Sequence, residues 1–339
     1  MLYYFLLSGE HRTLPLGEVR AILDAEGIQY IEKAIIDQVA IIDTEDSAIH
    51  YLSKRAALTR YAGKVLRVAE STDDINEIIK DIDWDRLENI KSITVAFRRI
   101  KEYSQHVIYS KVIESFKKYS PVELKLKKAD GTIDVILSDG LLIIGLRIYE
   151  RDMNKFRVRD PQRRPVYRPG TLTPLMSRVF VNLSRVSLRK KETFFDPFCG
   201  VGGFLLEACV IGLKNAGSDL SELNVKGAYI NLSHYGCVPN VAVADACRIP
   251  CLEVDGIGTD PPYGRLTRVE GGQSIEKLME CFLNEAADVV RKGKYMVFAQ
   301  EHSLELDDLI RDVGFEIVEK HKNWVHGALT RDIYVVRRV

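Results

Sequence analysis

No stretch of this sequence is apolar for the roughly 20 residues that a membrane-spanning helix needs, and the run from Leu141 to Leu146 falls far short of it. Net charge is also missing. The 48 basic side chains offset 48 acidic ones among 339 residues, which excludes a uniformly basic coat for nucleic acid. No two of the six cysteines (Cys199, Cys209, Cys237, Cys247, Cys251, Cys281) have CxxC spacing. Reduced thiols in a cytoplasmic protein are therefore the simplest expectation, and a zinc site built from His234, Cys237, Cys247 and Cys251 is disfavoured because its spacings fit no common module. The apolar opening MLYYFLLSGEH has no basic region before it, meets Glu10 early and leads to no cleavage site, so a signal peptide is not expected.

What is present is the composition of a folded globular protein, with 46% hydrophobic and 28% charged residues. Charge is segregated along the chain: −7 over residues 1–90, +14 over 91–191 and −7 over 192–339. Residues 1–68 read as a small βαββαβ unit, with a helix from Pro15 to Glu26 that Gly27 stops. A second unit over 69–150 has a strand in SITVAFRRI, a helix in VIYSKVIESFKKY and a hairpin turning at Asp139-Gly140. Residues 151–170 hold seven basic side chains, two acidic ones and three prolines, the composition of an extended basic linker. From 171 to 339, strand and helix alternate in the rhythm of a doubly wound, mostly parallel α/β sheet.

Three constellations in that last part carry chemistry. Asp196-Pro-Phe-Cys-Gly-Val-Gly-Gly203 lies between a short strand and a helix, where glycines admit a ligand close to the backbone. It lacks the Lys-Ser/Thr of a phosphate loop, and an acid ahead of the glycines opposes pyrophosphate, so an amine or sulfonium suits it better. Asp219 and Asp245 stand at the expected ends of the next two strands, placed for ribose hydroxyls and for an adenine amino group. Each, taken singly, is also an ordinary turn or cap residue. Asp260-Pro261-Pro262-Tyr263-Gly264 follows the fourth strand. The two prolines fix the backbone and remove two donors, leaving the Pro261 carbonyl and the Asp260 carboxylate as two acceptors for one exocyclic amine, with Tyr263 as a stacking face for an extruded base. Cys199 lacks a paired histidine and is read as a packing or cofactor contact. Trp84 and Trp324 are read as packing anchors, with the cofactor edge as the alternative place for Trp324.

With these motifs, residues 171–339 resemble a class I S-adenosylmethionine-dependent methyltransferase of the amino-methylating kind: DPFCGVGG is similar to that family's first motif, with Val201 where threonine is commonest, GSDL to its second, DA at 245 to its third and DPPYG to its fourth. The first half resembles the ferredoxin-like plus THUMP modules of tRNA-modifying enzymes, and YRPGTLTPLMSRVFVNLS is similar to the linker and first catalytic helix of the archaeal enzymes that methylate N2 of guanine 10 in tRNA. The resemblance implies a Rossmann-like catalytic domain that holds S-adenosylmethionine through Asp196, Phe198, Cys199, Gly200 and Gly202. It adds Asp219 with Leu220, Asp245 with Ala246, and Thr171 and Pro174 to the same site. It implies Asp260, Pro261, Pro262 and Tyr263 as the catalytic set, no metal, and N2-methylguanosine or its dimethyl form as product. The basic band points to tRNA, with Arg98, Arg99, Lys101, Arg157, Arg159, Arg163, Arg164 and Arg168 as candidate RNA contacts. A monomer is expected, and a small activating protein stays open. Another RNA guanine, adenine N6, a non-catalytic RNA-binding protein and, last, a nicotinamide dehydrogenase are the alternatives.

Overall fold

A computed structural model describes residues 1–87, 89–100, 107–263, 274–326 and 329–339. It separates into two compact units that do not follow the chain in order. One consists of Met1–Glu10, Ile28–Ser53 and Thr59–Arg151, the other of His11–Gly27, Lys54–Leu58 and Asp152–Val339.

The first unit is built on an eight-stranded sheet. Its strands are β1 (Leu2–Leu7), β2 (Tyr30–Ile36), β3 (Val39–Thr44), β4 (Thr59–Glu70), β5 (Ser92–Ile100), β6 (Glu123–Leu124), β7 (Gly131–Ser138) and β8 (Leu141–Glu150), in the spatial order β2-β3-β1-β4-β8-β7-β5-β6. The expected boundary at 68/69 falls inside β4, whose twelve residues pair with β1 on one edge and β8 on the other. One continuous ladder therefore runs through both expected N-terminal modules. Tyr4 explains part of the join: its hydroxyl donates to the buried Asp134 on β7 at 2.6 Å, and its ring occupies space that a side chain at Gly145 would fill. Helices α1 (Leu14–Glu26), α2 (Ser47–Arg55), α3 (Ile75–Lys80) and α4 (Tyr109–Tyr119) accompany these strands in sequence, and Trp84 packs edge-on against Phe116 of α4.

Helix α1 belongs to the second unit, although it lies in the first tenth of the sequence. Two buried carboxylates hold it there. Glu18 accepts the backbone N–H groups of Ala57 and Leu58 and the side-chain amide of Asn182, while Glu26 accepts from Arg55, Leu188 and Arg189. The stretch expected as an extended linker is also part of this unit. It forms the short helix α5 (Met153–Arg157), capped by Asp152, and buries Phe156, Arg159 and Arg164.

The second unit's sheet comprises β9 (Thr193–Asp196), β10 (Lys214–Asp219), β11 (Val241–Val243), β12 (Val254–Thr259), β13 (Val290–Glu301), β14 (Phe315–His326) and β15 (Leu329–Arg338). Their order is β11-β10-β9-β12-β13-β15-β14, parallel as far as β13 and antiparallel thereafter. Helices α6 (Pro174–Leu183), α7 (Gly203–Val210), α8 (Glu222–His234), α9 (Ile275–Val289) and α10 (Asp307–Asp312) complete it. Period-two alternation fills two cores at once: Phe194, Val297, Ile333 and Val335 join one, and Phe195, Met296, Tyr334 and Val336 the other. The strand order reverses between β9 and β12, where the carboxyl ends of such a sheet leave a crevice for a ligand.

The expectation of reduced cysteines is corrected. Cys209 is bonded to Cys237, and Cys247 lies against Cys281, while Cys199 and Cys251 are free. The fold brings together partners 28 and 34 positions apart, a separation on which the absence of CxxC spacing has no bearing. Trp324 is corrected as well, being exposed rather than a packing anchor. No helix among the described residues is long and apolar enough to cross a membrane.

Candidate active site

Strand β9 ends at Asp196, and the chain must turn at once to enter α7. Gly200 and Gly202 make that turn with φ of 51° and 85°, values in the left-handed region that glycine adopts without strain. Asp196 is fully buried. Its Oδ1 accepts from the Thr259 hydroxyl at 2.7 Å and from the Phe198 amide at 3.1 Å, while its Oδ2 has no partner among the described residues. Burial pushes its carboxyl up to about 8, and the neighbouring charges of Asp219 and Asp260 act in the same direction. Cys199 is buried in the turn, and burial beside these acids drives its thiol far above the range of a nucleophile.

Asp219 closes β10. Its Oδ2 accepts the Gly200 amide at 2.8 Å, and its Oδ1 accepts from the Ser221 amide and the Asn224 side chain. A carboxylate has about four lone-pair sites, so this one keeps capacity on Oδ2 for roughly one more donor. Leu220 beside it is exposed. The Ala244 amide donates to the Asp219 carbonyl, and Asp245 follows, exposed, with Oδ1 accepting the Cys247 amide. Ala246 is buried in the core beneath. Asp196, Gly200, Asp219 and the backbone before Asp245 thus form one hydrogen-bonded edge.

Asp260 directly follows β12 and is one residue beyond Thr259, the residue that binds Asp196. Pro261 is buried, and Pro262 and Tyr263 are half-buried. The Tyr263 ring packs on the core, and its hydroxyl donates to Asp260 Oδ1. The expected stacking face is therefore tethered to the acceptor it accompanies. Gly264 lies outside the described residues. Sequence reasoning missed the cation behind this pair. Arg331 of β15 is 3% exposed, and its Nη1 lies 3.3 and 3.4 Å from the two Asp260 oxygens and 3.2 Å from the Tyr263 hydroxyl. Its Nε donates to Asn323 on the paired strand β14. Burial raises the Asp260 carboxyl, with Arg331 and the Tyr263 hydroxyl opposing that rise. The available signal was the pair Arg331-Asp332 directly before the apolar run Ile333–Val336 of the same strand; both residues are buried.

The candidate RNA contacts divide. Arg99, Arg157, Arg163 and Arg168 are exposed, and Arg98 is half-exposed over the Tyr61 ring with Asp134 beneath. Lys101 lies outside the described residues. Arg159 and Arg164 are corrected: both are buried and cannot reach a phosphate backbone from where they stand. Arg159 forks onto Glu207 of α7, where Arg178 also binds, and Arg164 donates its Nε to the Arg159 carbonyl. Thr171 is half-buried near the start of α7, with its hydroxyl on the Arg168 carbonyl. Pro174 is buried as the first residue of α6, where a missing N–H costs nothing.

Comparison with known proteins places this arrangement. The family model described as RMKL-like, methyltransferase domain, matches residues 161–333. The chain is 32% identical over 337 residues to the tRNA (guanine(10)-N2)-dimethyltransferase of Methanothermobacter thermautotrophicus, covering 98% of each. It is 27% identical over 342 residues to the enzyme of that name from Pyrococcus abyssi, covering 99% of each. Among solved structures, TrmN from Thermus thermophilus shares the fold with a TM-score of 0.55 at 18% identity, over 100% of both chains.

Proposed function

Because the chain belongs to the RMKL-like methyltransferase domain family and, over its full length, to the archaeal tRNA (guanine(10)-N2)-dimethyltransferases, we propose that it methylates the exocyclic N2 amine of a tRNA guanine at position 10, using S-adenosylmethionine. The observation that carries this reading is the joining of Asp196, Asp219 and Asp260 at one sheet edge, with a buried unpartnered oxygen on Asp196. An acidic, partly desolvated edge suits a ligand that carries an ammonium and a sulfonium.

The residues present fit this cofactor. Asp196 Oδ2 is an acceptor for its amine, Asp219 retains capacity for a ribose hydroxyl, and Asp245 is free on one oxygen to meet the adenine. Phe198, Cys199, Gly200 and Gly202 supply the backbone cradle, with Leu220, Ala246, Thr171 and Pro174 around it. When bound, S-adenosylmethionine supplies an electrophilic methyl group. Asp260 and the Pro261 carbonyl accept the two hydrogens of the target amine, which localises the nitrogen lone pair for in-line attack. Asp260 also stabilises the positive charge that grows on nitrogen. Tyr263 and Pro262 flank the extruded base.

We assign tRNA binding to the eight-stranded unit, which we read as the strands of a ferredoxin-like module (1–68) and a THUMP module (69–150), together with the basic stretch 151–170. Arg98, Arg99, Lys101, Arg157, Arg163 and Arg168 supply the phosphate contacts. The enzyme acts in the cytoplasm as a monomer. The test is incubation of the purified chain with unmodified tRNA and methyl-labelled cofactor, followed by digestion and mass spectrometry. Label in N2-methylguanosine and N2,N2-dimethylguanosine at position 10 is the expected result. Label at adenine N6 overturns the choice of base, and activity that appears only with an added protein overturns the single-chain reading.

A further inference from the structure

The Arg164 guanidinium makes no hydrogen bond to an acid among the described residues. Its side chain is 5% exposed, and both Nη1 and Nη2 are buried without a hydrogen bond among the described residues. Only Nε is satisfied, by the Arg159 carbonyl at 2.9 Å. The nearest buried acid, Glu207, is already taken: its Oε1 and Oε2 accept from Arg159, and Oε2 also accepts from Arg178. Three arginines therefore gather around one carboxylate, and the third is left over. A buried cation with two orphaned donor groups carries a desolvation cost that an anion would offset.

The position of the surplus identifies the anion. Arg164 Nη1 lies 3.3 Å from where a side-chain carbon on Gly203 would begin, and Ser177 Oγ and Thr171 Cγ2 lie 3.7 Å from that same point. Gly203 is the first residue of α7, and the unpaired N–H groups of a helix start also favour negative charge. Seven residues earlier in the same turn, Asp196 presents the opposite case, a buried acceptor without a donor. An orphaned acceptor thus stands at the beginning of the turn, and the orphaned Nη1 of Arg164 stands beside its end. A zwitterionic amino-acid group, ammonium on one side and carboxylate on the other, satisfies both.

We propose that Arg164 is a cofactor-binding residue that anchors the α-carboxylate of the methionine moiety of S-adenosylmethionine. This rests on the reading of that compound as the methyl donor. Enclosure of the guanidinium nitrogens selects a small ligand over a tRNA phosphate, and any side chain at 203 would crowd Nη1.

The test compares S-adenosylmethionine with its decarboxylated form by titration calorimetry, on the wild-type protein and on Arg164→Met. Wild type binds the carboxylate-bearing compound more tightly. Arg164→Met loses about 10- to 100-fold for that compound, the range expected for hydrogen bonds to a charged group, and changes by less than about twofold for the decarboxylated one. Equal loss for both ligands, or no loss for either, overturns the assignment. If Arg164→Met does not fold, the wild-type comparison decides: equal affinity for the two compounds overturns the proposal, and a preference for the carboxylate that Arg164→Lys retains only in part supports it. Wild type that binds neither compound overturns the choice of donor itself, an outcome distinct from the failure of Arg164 alone. A thermal melt supplies a readout independent of ligand, since removing an uncompensated buried cation leaves the unliganded protein as stable as before or more so.

Discussion

Asp196 keeps a proton that an exposed aspartate would lose, because burial raises its carboxyl from 3.8 to about 8. Between those values the unfolded chain ionises at this position while the folded one does not, so each step up in pH favours unfolding. The unliganded protein is therefore more stable at pH 5 than at pH 8 as far as this group is concerned, and Asp196→Asn flattens that part of the profile in thermal melts. A cationic amine placed on Oδ2 reverses the preference. Cofactor binding at pH 7 should release close to one proton, measurable by calorimetry in buffers of different ionisation enthalpy, and Asp196→Asn should abolish the release. Asp260→Ala should lower turnover by about 10²- to 10³-fold while sparing cofactor affinity; near-normal turnover would remove Asp260 from the acceptor site. Arg331 opposes the burial that raises the Asp260 carboxyl. Arg331→Met should thus move the acid limb of the kcat/KM profile to higher pH, with Arg331→Lys restoring part of the shift. Asp260 to Tyr263 could be marked in the sequence as a candidate site because its acceptors and aromatic ring sit on consecutive residues. Arg331 could not, because it acts from 71 positions away through the pairing of β15 with β13 and β14.

Helix α1 shows where local pattern stops being informative. Its position, with Gly27 as its stop, follows from periodicity and a left-handed cap. Its membership does not, since the residues that donate to Glu18 and Glu26 lie between Arg55 and Arg189. The same limit applies to 151–170. Prolines and arginines there suggest a solvated connector, yet Glu207, one turn into an apolar helix, draws Arg159 inward. Two predictions belong here. Glu207→Ala strands Arg159 and Arg178 without their acid and should cost about 3–5 kcal/mol in denaturant unfolding. A fragment beginning at Asp152 lacks α1 and residues 54–58, leaving Asn182 and Arg178 short of partners. It should lose the cooperative thermal transition of the full chain, and a sharp melt at the full-chain temperature would contradict the division described above.

Charge neutrality over 339 residues conceals a cationic middle, and tRNA affinity should report it. With five exposed or half-exposed arginines available, binding should weaken by about two orders of magnitude between 50 and 200 mM salt; a flat salt response would detach the basic band from RNA recognition. Neither the strand order of the eight-stranded sheet nor the three-piece make-up of the catalytic unit could be inferred from composition or periodicity, because both are set by long-range pairing. That make-up has a consequence for biosynthesis. The ribosome releases α1 well over a hundred residues before Asn182 and Leu188, so Glu18 and Glu26 at first find only their partners at Arg55, Ala57 and Leu58 and wait for the rest of the unit that buries them. Late recapture of its own beginning is then a folding step that the catalytic unit has to complete, and chaperone dependence should track the interval between those two moments of translation.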